Sequence, residues 1–233
     1  MKNKIISVIV NVALCAIIIC VCVVGFVGGV ATSVTSDGEN IYYKSDDGKG
    51  VSLMFNVYQN TDNVYAIMDI LDQYSAKATF FLGGCWADDN VDCVRDIYAR
   101  GHEVGSHGYF HKDHSKMTHE QNLAEIRPSV KLLNAILGTE IALFAPPSGA
   151  FSDRTVTAAT ELGLKTVMWS RDTIDWRDKD VNLIYSRATK NLQNGEFILM
   201  HPMDVTVKAL PEILTYIREN GLTAVTVSCN LGE

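Results

Sequence analysis

Short apolar or β-branched runs alternate with segments of helical period along most of this chain, and that alternation narrows the fold more than any single motif does. The strand candidates are 51–56, 78–83, 102–106, 141–145, 165–170, 196–201 and 222–228. One intervening helix begins near Thr61 and places Val64, Ile67, Met68 and Leu71 on one face. A second covers about 89–100 and stops at Gly101. A third opens with a capping box, Thr118 to Gln121. It carries Leu123, Ile126, Val130, Leu133 and Leu137 at spacings of three and four, and stops at Gly138. Further helices are expected over about 153–162, 180–192 and 207–220. Strict β–α alternation with short connections predicts an α/β fold with a mainly parallel sheet of about seven strands. An open doubly wound sheet and an incomplete barrel both fit. No Gly-rich GxGxxG turn follows the first strand, which weighs against a dinucleotide fold and towards the barrel.

In a parallel β/α protein the carboxyl ends of the strands share one face, and ligands bind there. Here those ends are chemically unusual. Strand one ends at Asn56-Val57-Tyr58, and strand three leads into His107 and His111. Strand four runs into Pro146-Pro147, a rigid turn, and strand five into Trp169 and then Asp172, Asp175 and Trp176. Strand six gives Leu199-Met200-His201. Neutral imidazole is the commonest protein metal ligand, and two at i, i+4 can reach one ion from a tight loop. His201 is a candidate general acid or base, since an unperturbed histidine titrates near ~6.5. Asp175 or Asp172 would orient it, as a carboxylate does in a catalytic triad. Trp169 and Trp176 would form an apolar or sugar-stacking wall. His102, His114 and His119 read as core or surface residues.

Residues 5–31 carry no charge and only two polar side chains, Ser7 and Asn11. At ~1.5 Å per residue such a helix exceeds the ~30 Å hydrocarbon core of a bilayer. Lys2 and Lys4 precede it and Asp37 is the first charge after it, so the positive-inside rule puts the N-terminus in the cytoplasm. The expectation is a signal-anchor or transmembrane helix over 1–31, a linker over 32–49 and one domain over 50–233. The protein would then be single-pass in the cell membrane, with its domain on the extracytoplasmic side. Secretion after signal cleavage is the rival reading, although a signal's apolar region is usually only ~7–15 residues. Removing Lys2 and Lys4 from the 20 Lys+Arg leaves 18 basic against 27 acidic residues, a formal net charge of −9. No basic footprint for a nucleic-acid partner exists. There is no CxxC pair; a Cys85–Cys93 disulfide and free thiols are both open.

At these strand ends the chain resembles the polysaccharide deacetylases, the NodB-homology domain of carbohydrate esterase family 4, over about residues 50–230. Ala78 to Gly84 looks like the second-strand signature, and Gly101 to His107, with His111, like the HxxxH motif. Phe144 to Gly149, Asp172 to Trp176 and Leu199 to His201 follow in the family's order. The resemblance implies a distorted, incomplete (β/α) barrel and metal-dependent hydrolysis of N-acetyl groups on a cell-wall glycan such as peptidoglycan. It implies a divalent metal, zinc in many relatives, on His107 and His111, and His201 as acid supported by Asp175, less so by Asp172. Asn56, Tyr58, Pro146, Pro147, Trp176 and Leu199 would contact substrate.

The first motif departs from the family's Thr-Phe-Asp-Asp-Gly. This chain has Met54-Phe55-Asn56-Val57-Tyr58, with Asn56 at the base and Val57 at the metal-binding carboxylate. Ala145 stands where an arginine normally braces the base. A positioned base is worth roughly 10²–10⁴-fold in rate. Hydrolysis at reduced rate is therefore expected. The alternative is a catalytically inactive relative that binds glycan or a wall partner through the same cleft. A third ligand could come from Asn56, Asp62, Asp113 or water.

Overall fold

The computed structural model describes residues 40–233. Eight strands form one sheet: β1 Ile41–Tyr42, β2 Ser52–Val57, β3 Thr79–Leu82, β4 Glu103–Ser106, β5 Leu143–Phe144, β6 Lys165–Val167, β7 Arg171–Asp172 and β8 Phe197–Met200. Every pairing is parallel, in the order β1-β6-β5-β4-β3-β2-β8-β7. The helices are α1 Thr61–Gln73, α2 Gly84–Asp89, α3 Val91–Ala99, α4 His119–Leu137, α5 Asp153–Glu161, α6 Val181–Thr189, α7 Asp204–Glu219 and α8 Val227–Leu231. The third predicted helix forms as its capping box requires. The Thr118 amide donates to Gln121 Oε1 at 2.8 Å, and the Gln121 amide to Thr118 Oγ1 at 3.2 Å.

The sheet is curled into a half-barrel, and a short connection shows why. β6 lies near one edge and β7 forms the other, yet only Met168-Trp169-Ser170 joins them. Four extended steps of backbone reach at most about 14 Å, so the two edges must come close together. Alternation along β2 then sorts the core into two clusters. Val51, Leu53, Phe55 and Val57 face the helices, together with Ile67, Phe80, Ile97, Ile126, Ile213 and others. Met54 faces inward with Phe81, Leu143, Ala145, Val167, Phe197 and Val227.

Three sequence expectations need correction. Residues 222–228 do not form a seventh strand. Ala224 makes a single bridge to Val51, after which Thr226 caps α8 by accepting from the Cys229 amide at 3.2 Å. α8 plugs the bottom of the half-barrel. The Val227 amide donates to Thr79 Oγ1, and Asn230 donates to the Gly50 carbonyl, both at strand starts. The linker over 32–49 ends earlier than expected, because Ile41 and Tyr42 pair with Thr166 and Val167 and cover the β6 edge. Strand 165–170 is split, since its last residues leave β6 to reach β7. The predicted membrane segment over 1–31 lies outside the described residues. Among the described residues no helix is long and apolar enough to cross a membrane. Cys85 and Cys93 are free thiols. Cys93 is in the core, where burial pushes it up to about 11, and the Cys85 thiol donates to the Tyr58 hydroxyl.

Candidate active-site cleft

A cavity of about 500 Å³ opens at the carboxyl rim of the sheet, lined by Asn56, His107, His111, Ser148, Trp169, Asp172, Trp176, Leu199 and His201. The three imidazoles thus meet in one cleft, although they come from two strand ends, β4 and β8.

His107 follows β4 and is buried. Its Nδ1 lies 2.8 Å from the Ala145 carbonyl oxygen. A carbonyl only accepts, so Nδ1 carries the proton and Nε2 is left with its lone pair. Burial, with neighbouring His111, lowers His107 to about 3 and keeps the ring neutral. His111 sits at the mouth, its ring centroid 5.2 Å from that of His107. Its backbone is left-handed, φ 54. Rings so placed can share one small ion, given metal–nitrogen bonds of about 2.0–2.1 Å.

His201 follows β8. Its Nδ1 and its amide lie 2.7 Å from the two Asp175 oxygens, and Thr206 Oγ1 donates to the same carboxylate at 2.5 Å. Asp175 is fully enclosed, so these three donors replace its water. An ionised carboxylate only accepts; His201 Nδ1 therefore carries a proton and Nε2 is available to the cavity. Asp172 also lines the cavity, but its Oδ1 accepts from the Ile174 amide at 2.8 Å and shapes the turn that follows. Of the two acids, Asp175 is the one that holds His201.

The remaining sequence candidates divide. Asn56, Trp176 and Leu199 line the cavity, Trp176 being 57% exposed. Tyr58, Pro146 and Pro147 do not. The Tyr58 ring lies across Gly83, where a Cβ would come within 2.2 Å of Cδ2, and stands 5.1 Å from the His111 ring. Burial, with Cys85, pushes its phenol up to about 12. Pro146 and Pro147 are buried, and they present Ser148 to the cavity instead. Asp62 lines a separate cavity beside Asn60 and Asp204. Asp113 is committed to Ser115 and Lys116. Val57 is 0% exposed and packs in the helix-side core.

The fit of a metal ion follows from these placements. Among the described residues no three His, Cys, Asp or Glu side chains come close enough to hold an ion. The two imidazoles do fit one. Asn56, 5% exposed in the cavity wall, has its Oδ1 buried without a protein donor. That oxygen is a neutral candidate for a third contact.

Sequence reasoning missed Thr206, Glu125 and Ser148. Thr206 was legible as a hydroxyl among Val205, Ala209 and Leu210 on the buried face of α7. Glu125 belongs to a polar stripe, Asn122, Glu125 and Ser129, repeating at helical spacing beside the apolar one.

By fold and position this is a ligand-binding cleft at the carboxyl rim of a parallel half-barrel. A family model described as polysaccharide deacetylase matches residues 43–167, and the chain belongs to that family. It is 34% identical over 168 residues to a peptidoglycan-N-acetylglucosamine deacetylase of Bacillus cereus, covering 70% of this chain and 78% of the relative. It is 35% identical over 190 residues to the uncharacterised protein YlxY of Bacillus subtilis, covering 82% of this chain but 60% of that relative. Among solved structures it is similar to a family 4 carbohydrate esterase pseudoenzyme from Bacillus anthracis. That match has a TM-score of 0.79 at 30% identity, over 82% of this chain and 68% of the other.

Proposed function

We propose that this protein binds an N-acetylated cell-wall glycan, such as peptidoglycan, and removes acetyl groups from it slowly in a metal-dependent reaction. The observation that carries the reading is the His201–Asp175–Thr206 arrangement facing the His107–His111 pair across one cavity. A divalent ion held by His107 and His111, zinc being our expectation, would supply Lewis acidity to the acetamide carbonyl and acidify water. The chain's own residues do the rest. Leu199 and Trp176 enclose the acetyl group and exclude water, and Trp176 offers an aromatic face to a sugar ring. His201 holds a proton at Nε2 for the departing amine, and Asp175 stabilises the imidazolium. Water adds to the carbonyl, the carbon–nitrogen bond breaks as His201 protonates the departing nitrogen, and the two water protons pass to solvent, one of them restoring His201, which leaves acetate and a glucosamine-type amine. No carboxylate stands at Asn56 to take the water's proton, and this makes the reaction slow.

A second reading, a glycan-binding relative without turnover, is favoured by Asn56, Val57 and Ala145 together. The similar pseudoenzyme structure supports it. We further propose that residues 5–31 anchor the domain to the extracytoplasmic face of the cell membrane, because the run is uncharged and follows Lys2 and Lys4.

Acetate release from N-acetylated glycans by the full-length chain, with zinc, cobalt or manganese added, decides between the readings. Release that disappears in both His107→Ala and His201→Ala supports hydrolysis. Glycan binding without release above those variants supports the second reading.

A further inference from the structure

The loop that carries His107 and His111 is held by a buried stripe of α4. Ser129 Oγ meets Ser106 Oγ at 2.9 Å, and Ser106 Oγ accepts from the Gly108 amide at 3.2 Å. Glu125 Oε1 accepts from the Phe110 amide at 2.5 Å. Asn122 Oδ1 meets His114 Nδ1 at 2.7 Å. Three helix residues spaced by three and four thus read the loop in order.

The middle contact differs from the other two. Glu125 is 3% exposed, and among the described residues it has no Lys or Arg ion-pair partner. A buried carboxylate without a cation is costly and calls for a reason. A neutral acceptor would serve the Phe110 amide alone. The charge lies close enough to His111, His114 and Tyr58 for its field to act on each. The loop itself needs restraint, because Gly108 and His111 are both left-handed, φ 71 and 54. Gly108 is also closely enclosed, since a Cβ there would stand 3.1 Å from His114 Nε2 and 3.7 Å from Glu125 Oε1.

We propose that Glu125 is a positioning residue for the histidine pair. It fixes the turn that aims His111 into the cleft, and it places a negative charge beside His111 where Val57 supplies none. The charge half of this proposal rests on the metal-site reading above; the turn half stands on the hydrogen bond alone.

The test titrates cobalt(II) into the full-length chain, following its visible absorption, and measures hydrogen exchange at the Phe110 amide. Wild type, Glu125→Gln, Glu125→Ala and His107→Ala are compared. Glu125→Gln keeps the acceptor and removes the charge. It should keep amide protection and the melting temperature while weakening cobalt binding roughly 10- to 100-fold, the usual cost of losing a group that supports a ligand. Glu125→Ala should lose both protection and affinity. Cobalt binding unchanged in Glu125→Gln overturns the charge role, and protection unchanged in Glu125→Ala overturns the turn role. Absence of cobalt binding in wild type, as in His107→Ala, refutes the metal-site reading and the charge role with it, while exchange at Phe110 still decides the turn role. Should Glu125→Ala not fold, Glu125→Asp, which shortens the acceptor by one methylene, replaces it in the exchange measurement.

Discussion

His102 makes the acid stability of this domain a quantitative matter. The ring is 2% exposed at the start of β4, 5.4 Å from the Phe80 ring, and neither ring nitrogen has a hydrogen-bond partner. Burial, with Lys77 next in effect, lowers it from 6.5 to about 4. Between those values the unfolded chain binds a proton that the native chain refuses. Stability therefore rises with pH across that window, is fully present above 6.5, and is lost as pH falls towards 4. At about 1.4 kcal/mol per unit the loss is about 3 kcal/mol. For a domain of this size that is roughly 6–12 °C in Tm. His102→Leu removes the titrating ring and two unsatisfied nitrogens together. At pH 7 the variant should match or exceed wild type. Urea unfolding followed by circular dichroism from pH 7 to pH 4 should show the two curves diverging as pH falls, the variant losing less. His107 and His114 are lowered by burial as well, but they are common to both proteins and cancel in the difference. Parallel curves, within about 1 kcal/mol throughout, would refute the reasoning.

Asp175→Asn puts an amide nitrogen or a single oxygen where three donors converge, and so disturbs the His201 ring as well as its charge; we expect acetate release to fall about 10²–10⁴-fold with glycan affinity within a few-fold, measured by turnover and by calorimetry. Asn56→Asp should raise acetate release by up to about 10²–10⁴-fold in the presence of added metal ion. Reductant should leave Tm unchanged, and thiol titration of the native protein should find Cys93 unreactive, because burial holds its proton.

Much of the fold was legible because both periodicities are clean in this chain. The apolar residues of α1 and α4 sit at their expected spacings, and six of the seven strand candidates contain an observed strand. The failures have physical causes. The run 222–228 has the composition of a strand, but Thr226 caps a helix there, and a plug under the half-barrel buries Val227 better than an edge would. Ile41–Tyr42 is too short to register as a strand before its partner edge exists. At the site, ring chemistry and strand-end position identified the histidines. Contacts that depend on a backbone carbonyl, such as Ala145 to His107, leave no trace in side-chain identity. Where the Tyr58 ring lies was not legible either, because it depends on the missing side chain of Gly83.

The two halves of the cleft differ in charge, and the packing explains why. Ala145 belongs to the inner apolar cluster with Phe81 and Leu143, and its carbonyl is the acceptor for His107. An arginine there would have to leave that cluster and find a carboxylate, and Asn56 offers none; an unpaired guanidinium would be costly so close to the core. Val57 faces the opposite side of the sheet, among helix-side residues, so an aspartate at that position would sacrifice core packing unless a cation drew it out. The Asn56 side of the cleft is thus neutral as a unit. On the acid side, by contrast, the buried Asp175 charge still holds all three of its donors. Keeping an enclosed carboxylate is expensive, and a domain that used the cleft only as a passive surface would gain by losing Asp175 as well. Enclosed with those donors, Asp175 fixes the His201 ring through Nδ1 and leaves Nε2 on the cavity side, so the charge is spent on orienting one imidazole.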